Sequence, residues 1–465
     1  MSKEELFRFI GKTGKDINQP CYIVGGYVRD TLLGQQSDDY DFVTIGSGTK
    51  LAEELGKRAG VDYELFPNYG TAKLTIDGNQ IEIVGARKET YQRGSRNPIV
   101  EDGTLEDDLR RRDFTINAMA ISVMEDSFGE LIDLFGGMSD LKRRILRTPQ
   151  DPDTTFSDDP LRMLRCIRFA ARLGFDIAPP TWTSIIKCGD QVKILSKERI
   201  SVELYKILQS LDPGRGIMLL HKSKLLPYIL PELSALSLGP DEEGHKDNLL
   251  HSITVLTQLA EKSDNVWLRF AALLHDIGKA ATKRWDETER TWTFYDHEHI
   301  GAEMIPTIFR RLSLPMGREM RYVQKMVKLH MRPGLIPCDE VSDSAIRRLI
   351  SDCGDEDIDD LLLLGDSDIS SKYQENHIRL HEHYRKLRAI IEDLRARDAI
   401  RLFQPVLSGN DIMEIFGLDP GRLVGEIKRF LKDAVLDGQV ENSKDKLIDY
   451  VKNYFGDTIG DNHPM

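Results

Sequence analysis

Residues 21–44 read Cys21-Tyr-Ile-Val-Gly25-Gly26-Tyr-Val-Arg29-Asp30-Thr-Leu-Leu-Gly-Gln-Gln-Ser-Asp-Asp39-Tyr-Asp41-Phe-Val-Thr44. Cys21-Tyr-Ile-Val reads as a short strand running into Gly25-Gly26, Tyr27 to Leu33 as the start of a helix, and Tyr40-Asp-Phe-Val-Thr as an alternating strand. Asp39 and Asp41 are one residue apart on that strand, so both carboxylates are expected on one face. Two carboxylates placed that way can share a hard divalent cation, which takes oxygen ligands and keeps waters for substrate phosphates. A Gly-Gly that ends a strand and opens a helix leaves backbone N–H groups where a triphosphate can dock. Arg29 follows one helical turn further on.

Moving outward, Lys73-Leu-Thr-Ile and Ile81-Glu-Ile-Val flank Asp77-Gly78, a strong hairpin signal. Glu82 sits inside the second of these strands, where an inward charge calls for a metal or a partner. From about residue 158 the strand signals fade and helical periodicity carries nearly everything to the end. Joints are expected at Thr148-Pro-Gln-Asp-Pro-Asp153, at Leu238-Gly-Pro-Asp-Glu-Glu-Gly244 and at Gln404-Pro-Val-Leu-Ser-Gly409.

The whole chain has 465 residues, enough for about three domains. It is 30% charged and 40% hydrophobic, with net charge −13 and mean hydropathy −0.37, which excludes a disordered chain, a coiled coil and a membrane bundle. Met1-Ser-Lys-Glu-Glu-Leu6 has no apolar run, so no signal peptide is expected, and no run of apolar residues is long enough to cross a bilayer. Five cysteines without a C-x-x-C pair read as free thiols of a reducing cytoplasm. The net acidity argues against a protein that coats nucleic acid nonspecifically. Residues 141–172 nevertheless hold eight basic residues against four acids, a patch suited to RNA phosphates.

Asp159 before Pro160 reads as the N-cap of a helix that buries Leu161, Leu164 and Ile167 on one side. Arg162, Arg165, Arg168 and Arg172 form a stripe on another side.

In order along the chain, Gly25-Gly26-Tyr-Val-Arg29-Asp30, Asp39-Tyr-Asp41, Arg111-Arg112-Asp113-Phe-Thr-Ile-Asn117-Ala, Asp158-Asp159-Pro-Leu-Arg162-Met-Leu-Arg165-Cys-Ile-Arg168-Phe-Ala and Glu198-Arg199-Ile-Ser-Val-Glu203 resemble the signatures of the class II tRNA nucleotidyltransferases. These are the CCA-adding enzymes and bacterial poly(A) polymerases of the polymerase-beta-like superfamily. The resemblance implies an α+β chain: a nucleotidyltransferase head (1–150), a helical nucleotide-selecting and RNA-binding region (151–238), a metal-dependent HD domain (239–403) and a helical tRNA-binding tail (404–465). It implies magnesium on Asp39 and Asp41 with Glu82 as third carboxylate, and a nucleotide held by Gly26, Arg29, Arg112, Asp113, Asn117, Arg165 and Arg168.

Asp159 and Arg162 would then select the base. Cytosine and adenine both offer an amino donor beside a ring-nitrogen acceptor, which a carboxylate and a guanidinium match; uracil and guanine present the opposite pattern and would leave buried polar groups unmatched at ~1–3 kcal/mol each. A loop between Arg93 and Leu109, with Gly94, Arg96 and Pro98, corresponds to the segment that helps these enzymes switch from C to A addition. The expected partners are the tRNA 3′ end and elbow, CTP and ATP, with no membrane and no DNA. A-only addition and poly(A) addition by the same site are the alternatives, as is a phosphohydrolase whose head serves only to bind RNA.

Ala271-Ala-Leu-Leu-His275-Asp276-Ile-Gly-Lys279 resembles the signature of the HD metal-dependent phosphohydrolases. By that resemblance His251, His275, Asp276 and Asp368 would hold a divalent metal of open identity, with His297 and His330 joining if there are two. Asp366 competes with Asp368, and Asp296, Glu298 and His299 crowd the middle position. Gly417-Leu-Asp-Pro-Gly421-Arg422 reads as a tight turn into a helix, either a phosphate cradle or a plain helix–helix connection. The tail from Ser408 to Asn442 resembles that of HD-bearing CCA-adding enzymes, which implies that the tRNA elbow rests there.

Overall fold

The apolar run Cys21–Val24 is a strand near the middle of a seven-stranded sheet. The strand order is Tyr63–Phe66, Thr71–Ile76, Asn79–Gly85, Tyr40–Thr44, Cys21–Val24, Ala120–Ser122 and Leu131–Ile132. Every pairing is antiparallel except Tyr40–Thr44 with Asn79–Gly85, which is parallel and sets Asp41 opposite Glu82. Period two then sorts the faces. Tyr40 and Phe42 turn to one side, where Phe7 of the helix Lys3–Asp16 meets both rings edge-on at 5.5 Å. Val43 turns to the other, into a core with Val24, Ala86, Leu109 and Ala120. Asp41 shares that second face.

This is a computed structural model, and it describes residues 1–66, 70–90, 99–237, 247–338, 341–369, 374–402 and 404–460. The hairpin forms as expected: Asp77 and Gly78 both take positive φ (48° and 80°), the backbone of a two-residue turn. Three boundaries move. The helix after Gly25 starts at Gly26, and Asp39 lies just before its strand, whose first residue is Tyr40. The arginine helix spans Leu161–Leu173 with Pro160 in the cap position, and Asp159 caps one residue further out, its Oδ1 accepting the Leu161 N–H at 3.2 Å.

Of the segment 93–109, residues 93–98 lie outside the described residues, as does the joint at 238–244. The remainder is ordered into the strand Ile99–Asp102 and the helix Leu105–Arg110, rather than loop. A Thr104/Asp107 capping box starts that helix. A second departure is the hairpin Arg284–Asp286/Thr291–Thr293 inside the helical body, held by the cross-strand pair Trp285/Trp292 at 5.3 Å.

The chain forms two compact units, residues 1–332 with 363–372, and residues 333–362 with 373–465. The segment expected at 239–403 is shared between them. In the first unit, the helices Asn248–Ala260 and His297–Arg311 carry His251 and His297, and His275 and His330 cap the C-termini of Val266–Leu274 and Arg318–Leu329. In the second, Arg347 of Asp343–Cys353 pairs with Asp398 of Gln374–Leu402 at 2.7 Å. Its last three helices, Gly409–Phe416, Arg422–Leu436 and Lys444–Gly460, close on Leu407, Ile412, Ile427, Leu431, Leu447 and Val451. Gly417 ends the first of them in the left-handed conformation (φ 62°), so the Gly417–Arg422 stretch is the helix–turn–helix connection the sequence suggests.

Candidate active site and candidate metal centre

A cavity of about 640 Å³ opens against the Asp41 face of the sheet. Its wall carries nine arginines and a lysine against five carboxylates, a surplus of positive charge in a chain of net −13. The expected residues Gly26, Arg29, Asp39, Asp41, Glu82, Arg112, Asp113, Asn117, Asp159, Arg162, Arg165 and Arg168 all line it. Such a wall suits a polyanion.

Asp41 and Glu82 are register partners on adjacent parallel strands, and Glu82 also meets its antiparallel partner Lys73 at 3.1 Å. Burial, then the neighbouring Asp39 charge, pushes the Asp41 carboxyl up to about 6, with Arg112 acting against them and Glu82 adding to them. A carboxylate destabilised by other carboxylates is the electrostatic mark of a cation site, and an all-oxygen donor set suits magnesium. Gly25 beside it has φ 73°, and a Cβ there would stand 3.0 Å from Arg112 Nη1 and 3.6 Å from Asp41 Oδ2, so only glycine lets the backbone pass.

Arg29 is a buried wall residue. Its guanidinium donates to Asp30 twice at 2.8 Å and to Asn117 Oδ1 at 2.7 Å. Asn117 donates on to Asp113 Oδ1 at 3.0 Å, and Arg165 Nε donates to Asp113 Oδ2 at 2.7 Å. One hydrogen-bonded chain therefore ties the Gly-Gly helix, the Arg111–Asn117 turn and the arginine helix together. Although burial opposes it, Arg165 and Asn117 hold Asp113 below the usual carboxylate range. Arg29, Arg165 and Arg168 all lie against the Phe169 ring, 5.2, 5.7 and 4.5 Å from its centre.

The arginine stripe is only partly a solvated face: Arg162 and Arg168 are each only 8% exposed and Arg165 is half-buried, while Arg172 is exposed. Arg162 donates to the carbonyls of Arg111 (2.8 Å) and Thr155 (3.3 Å), and Asp159 Oδ2 accepts from Arg199 at 2.9 Å. The two base-selecting candidates are thus held separately. Asp159 retains lone pairs for a further donor. Four supporting residues were not singled out from the sequence. Asp108, fully buried, anchors Arg111 and Arg112 (the latter at 3.0 Å), and its signal was the i, i+3, i+4 spacing. Glu203 holds Arg168 at 3.2 Å and Arg199 holds Asp159; both lay in a quoted motif. Phe169 had no signal beyond its neighbours.

The histidines form a second centre in the same unit. His275, His297 and His330 each place Nδ1 at 2.7–2.8 Å from the carbonyl three residues back, of Ala272, Phe294 and Val327. Those contacts leave Nε2 facing inward, and in all three rings it is buried with no hydrogen-bond partner among the described residues. Asp276 lies among them, 3.2 Å from His275 Nε2 and 3.3 Å from His297 Nε2. Asp368 is 2.8 Å from His251 Nε2 and 3.3 Å from His275 Nε2.

Donor atoms about 3–4 Å apart are what an ion ~2.1 Å from each requires, so the set fits a divalent metal. His251, His275 and Asp276 make one such group, His275, His330 and Asp368 a second, and Asp276, His297 and His330 a third. Burial would lower the His275 pKa, but Asp276 and Asp368 overcome it and raise it to about 10, the field of a cation site. Asp366 is drawn off to Lys262 at 2.9 Å, which leaves Asp368 in the cluster. Asp296, Glu298 and His299 group separately, with His299 56% exposed. Lys279 donates to Asp276 at 2.6 Å, a contact the sequence reading did not assign.

Family models match three stretches: "Poly A polymerase head domain" at residues 21–147, "Probable RNA and SrmB- binding site of polymerase A" at 174–236, and "HD domain" at 248–394. The A-adding tRNA nucleotidyltransferase of Deinococcus radiodurans is 32% identical over 432 residues, 90% of this chain and 92% of that protein. The multifunctional CCA protein of Xylella fastidiosa is 34% identical over 410 residues, 82% of this chain and 91% of its own. Among solved structures, a tRNA nucleotidyltransferase in complex with a primer tRNA and an incoming ATP analog matches with a TM-score of 0.60 at 27% identity, covering 82% of this chain and 99% of that one.

Proposed function

The chain belongs to the tRNA nucleotidyltransferase family, and from that premise we propose that its arginine-lined cavity adds CMP, CMP and AMP to the 3′ end of tRNA, using CTP and ATP and no nucleic-acid template. The carrying observation is that Asp39, Asp41, Glu82, Asp159 and Arg162 all line one cavity of otherwise cationic wall.

Magnesium held by Asp39 and Asp41, with Glu82 as third carboxylate, would supply activation of the primer 3′-hydroxyl and offset the charge of the leaving pyrophosphate. The 3′-oxygen bonds to the α-phosphorus while the bond from that phosphorus to the bridging oxygen breaks. Arg112, Arg165 and Arg168 hold the phosphates, and the Arg29–Asn117–Asp113 chain fixes the turn that carries Arg112. Asp159 accepts from the base amino group and Arg162 donates to the ring nitrogen. Exposed Lys142, Arg143 and Arg144 and the tail from residue 404 support the tRNA body and elbow. The HD centre is a phosphohydrolase: a divalent ion there would supply an activated water against a phosphoester. A tRNA substrate and five cysteines that form no disulfide support a cytoplasmic setting.

The test is primer extension on a tRNA transcript ending at its discriminator base, with magnesium. Growth by two nucleotides with CTP and by three with CTP and ATP is the expected result. The A-adding Deinococcus relative favours a second reading, A-only addition, which would show as growth only with ATP and only on tRNA already ending in CC.

Replacing Asp159 by alanine should lower the preference for CTP and ATP over UTP and GTP by roughly 10–100-fold in kcat/KM, the value of one or two mismatched buried hydrogen bonds. Competing-nucleotide incorporation on one primer measures it, and unchanged selectivity would remove Asp159 from base recognition.

A further inference from the structure

A second cavity, of about 510 Å³, adjoins the first and shares Arg168, Arg172 and Lys206 with it. Its remaining wall includes Gln35, Gln209 and Ser210. Lys206 stands in the last turn of the helix Lys197–Leu208 and is exposed, with no hydrogen bond or ion pair among the described residues. It is thus a free cation between two cavities, whereas Arg168 is held by Glu203 at 3.2 Å and Arg172 faces Asp30 at 3.9 Å.

The arginine helix gives the direction. Arg162, which by the transferase reading meets the base, is ten residues from Arg172, or ~15 Å at 1.5 Å per residue. That span is comparable to an extended nucleoside triphosphate. A nucleotide whose base meets Asp159 and Arg162 and whose phosphates run along the stripe would bring its terminal phosphates to Arg168, Arg172 and Lys206, the residues the second cavity shares. Gln35 and Gln209, which line only the second cavity, are exposed, so that cavity leads to solvent.

We propose that the second cavity receives the pyrophosphate leaving group and releases it to solvent, with Lys206 as its terminal phosphate contact. The inference rests on the transferase reading for the nucleotide's orientation. It assigns the anion to pyrophosphate rather than to the RNA backbone, although either would supply the same phosphate chemistry.

The test uses the full-length protein and its Lys206→Ala and Lys206→Glu variants. Each is assayed for product inhibition by pyrophosphate, for KM of the tRNA primer and, by calorimetry without nucleotide or primer, for direct pyrophosphate binding. Lys206 is exposed, and matching melting curves check that its replacement leaves the fold intact. The expected result is a pyrophosphate inhibition constant raised roughly three- to fivefold in Lys206→Ala and further in Lys206→Glu, with the tRNA KM unchanged. A raised tRNA KM with unchanged pyrophosphate inhibition would give the cavity to RNA and overturn the proposal, as would no change in either. Failure of the wild type to extend any primer would sink the transferase reading instead; unaltered pyrophosphate binding in the variants by calorimetry would then sink the cavity assignment independently.

Discussion

Asp41→Asn should give a protein that no longer extends a tRNA primer yet melts higher than the wild type in magnesium-free buffer at pH 7.5. On the proposed mechanism, the loss of activity follows from removing one of the two carboxylates that would hold magnesium at the reacting phosphate, which costs about a thousandfold or more where transferred charge is neutralised by bound cations. The gain in stability follows from the same carboxylate's surroundings. Burial and Asp39 raise its folded pKa to about 6 against an ordinary value of 3.8. Between those two values the native state keeps a proton that the unfolded chain has released. Stability therefore falls as pH rises from about 4 to about 6, and the deficit persists above. Two pH units correspond to ~3 kcal/mol, which partial solvent access reduces to ~2 kcal/mol.

The amide keeps the shape and removes the charge, so a rise of about 2–4 °C in Tm is expected at pH 7.5, shrinking towards zero near pH 4. Adding magnesium should narrow the gap, because only the wild type binds the ion tightly and gains from it. Scanning calorimetry at the two pH values, with and without magnesium, reads all of this. An Asp41→Asn protein that melts lower than wild type at pH 7.5 without magnesium would mean that Asp41 holds the fold together, and its inactivity would then say nothing about a metal.

That conflict between local stability and function is also why this part of the chain was legible in advance. An Asp-x-Asp beside a strand, a Gly-Gly that needs φ 73° at Gly25 and an arginine stripe are features a fold would not choose for its own stability, so they stand out from the core pattern. Strand and helix identities followed from period two and period 3.6. Less legible were features that depend on partners distant in sequence. Asp113 and Arg165 are 52 residues apart and meet only once the arginine helix packs on the head, so the sequence assigns both to the nucleotide without showing that they pair with each other. The Trp285/Trp292 hairpin was too short for periodicity to register, its strands being three residues each. Thr104 to Arg110 carried a capping box, but an Arg- and acid-rich segment ahead of it made the whole stretch read as loop. Among the ligand candidates, spacing left Asp366 and Asp368 equivalent; packing separated them by giving Asp366 to Lys262.

Asp276→Asn should separate the two centres. Asp276 is 1% exposed and its carboxylate lies within 4.0 Å of four histidine Nε2 atoms. Removing its charge should cost at least two orders of magnitude in divalent-metal affinity and abolish any hydrolysis of phosphoesters, while primer extension in magnesium proceeds at the wild-type rate. Calorimetric titration of nickel or manganese into wild type supplies a second signature. Asp276 and Asp368 hold His275 protonated up to about pH 10, so at pH 7.5 its Nε2 must lose a proton before it can ligate. Metal binding by the wild type should therefore release about one proton, seen as an apparent enthalpy that changes between buffers of different ionisation enthalpy. In Asp276→Asn the largest charge holding that proton is gone, so both the affinity and the buffer dependence should fall together. Unchanged affinity and unchanged buffer dependence in Asp276→Asn would place the ion elsewhere, on the exposed group of Asp296, Glu298 and His299, and would take Asp276 out of the ligand set.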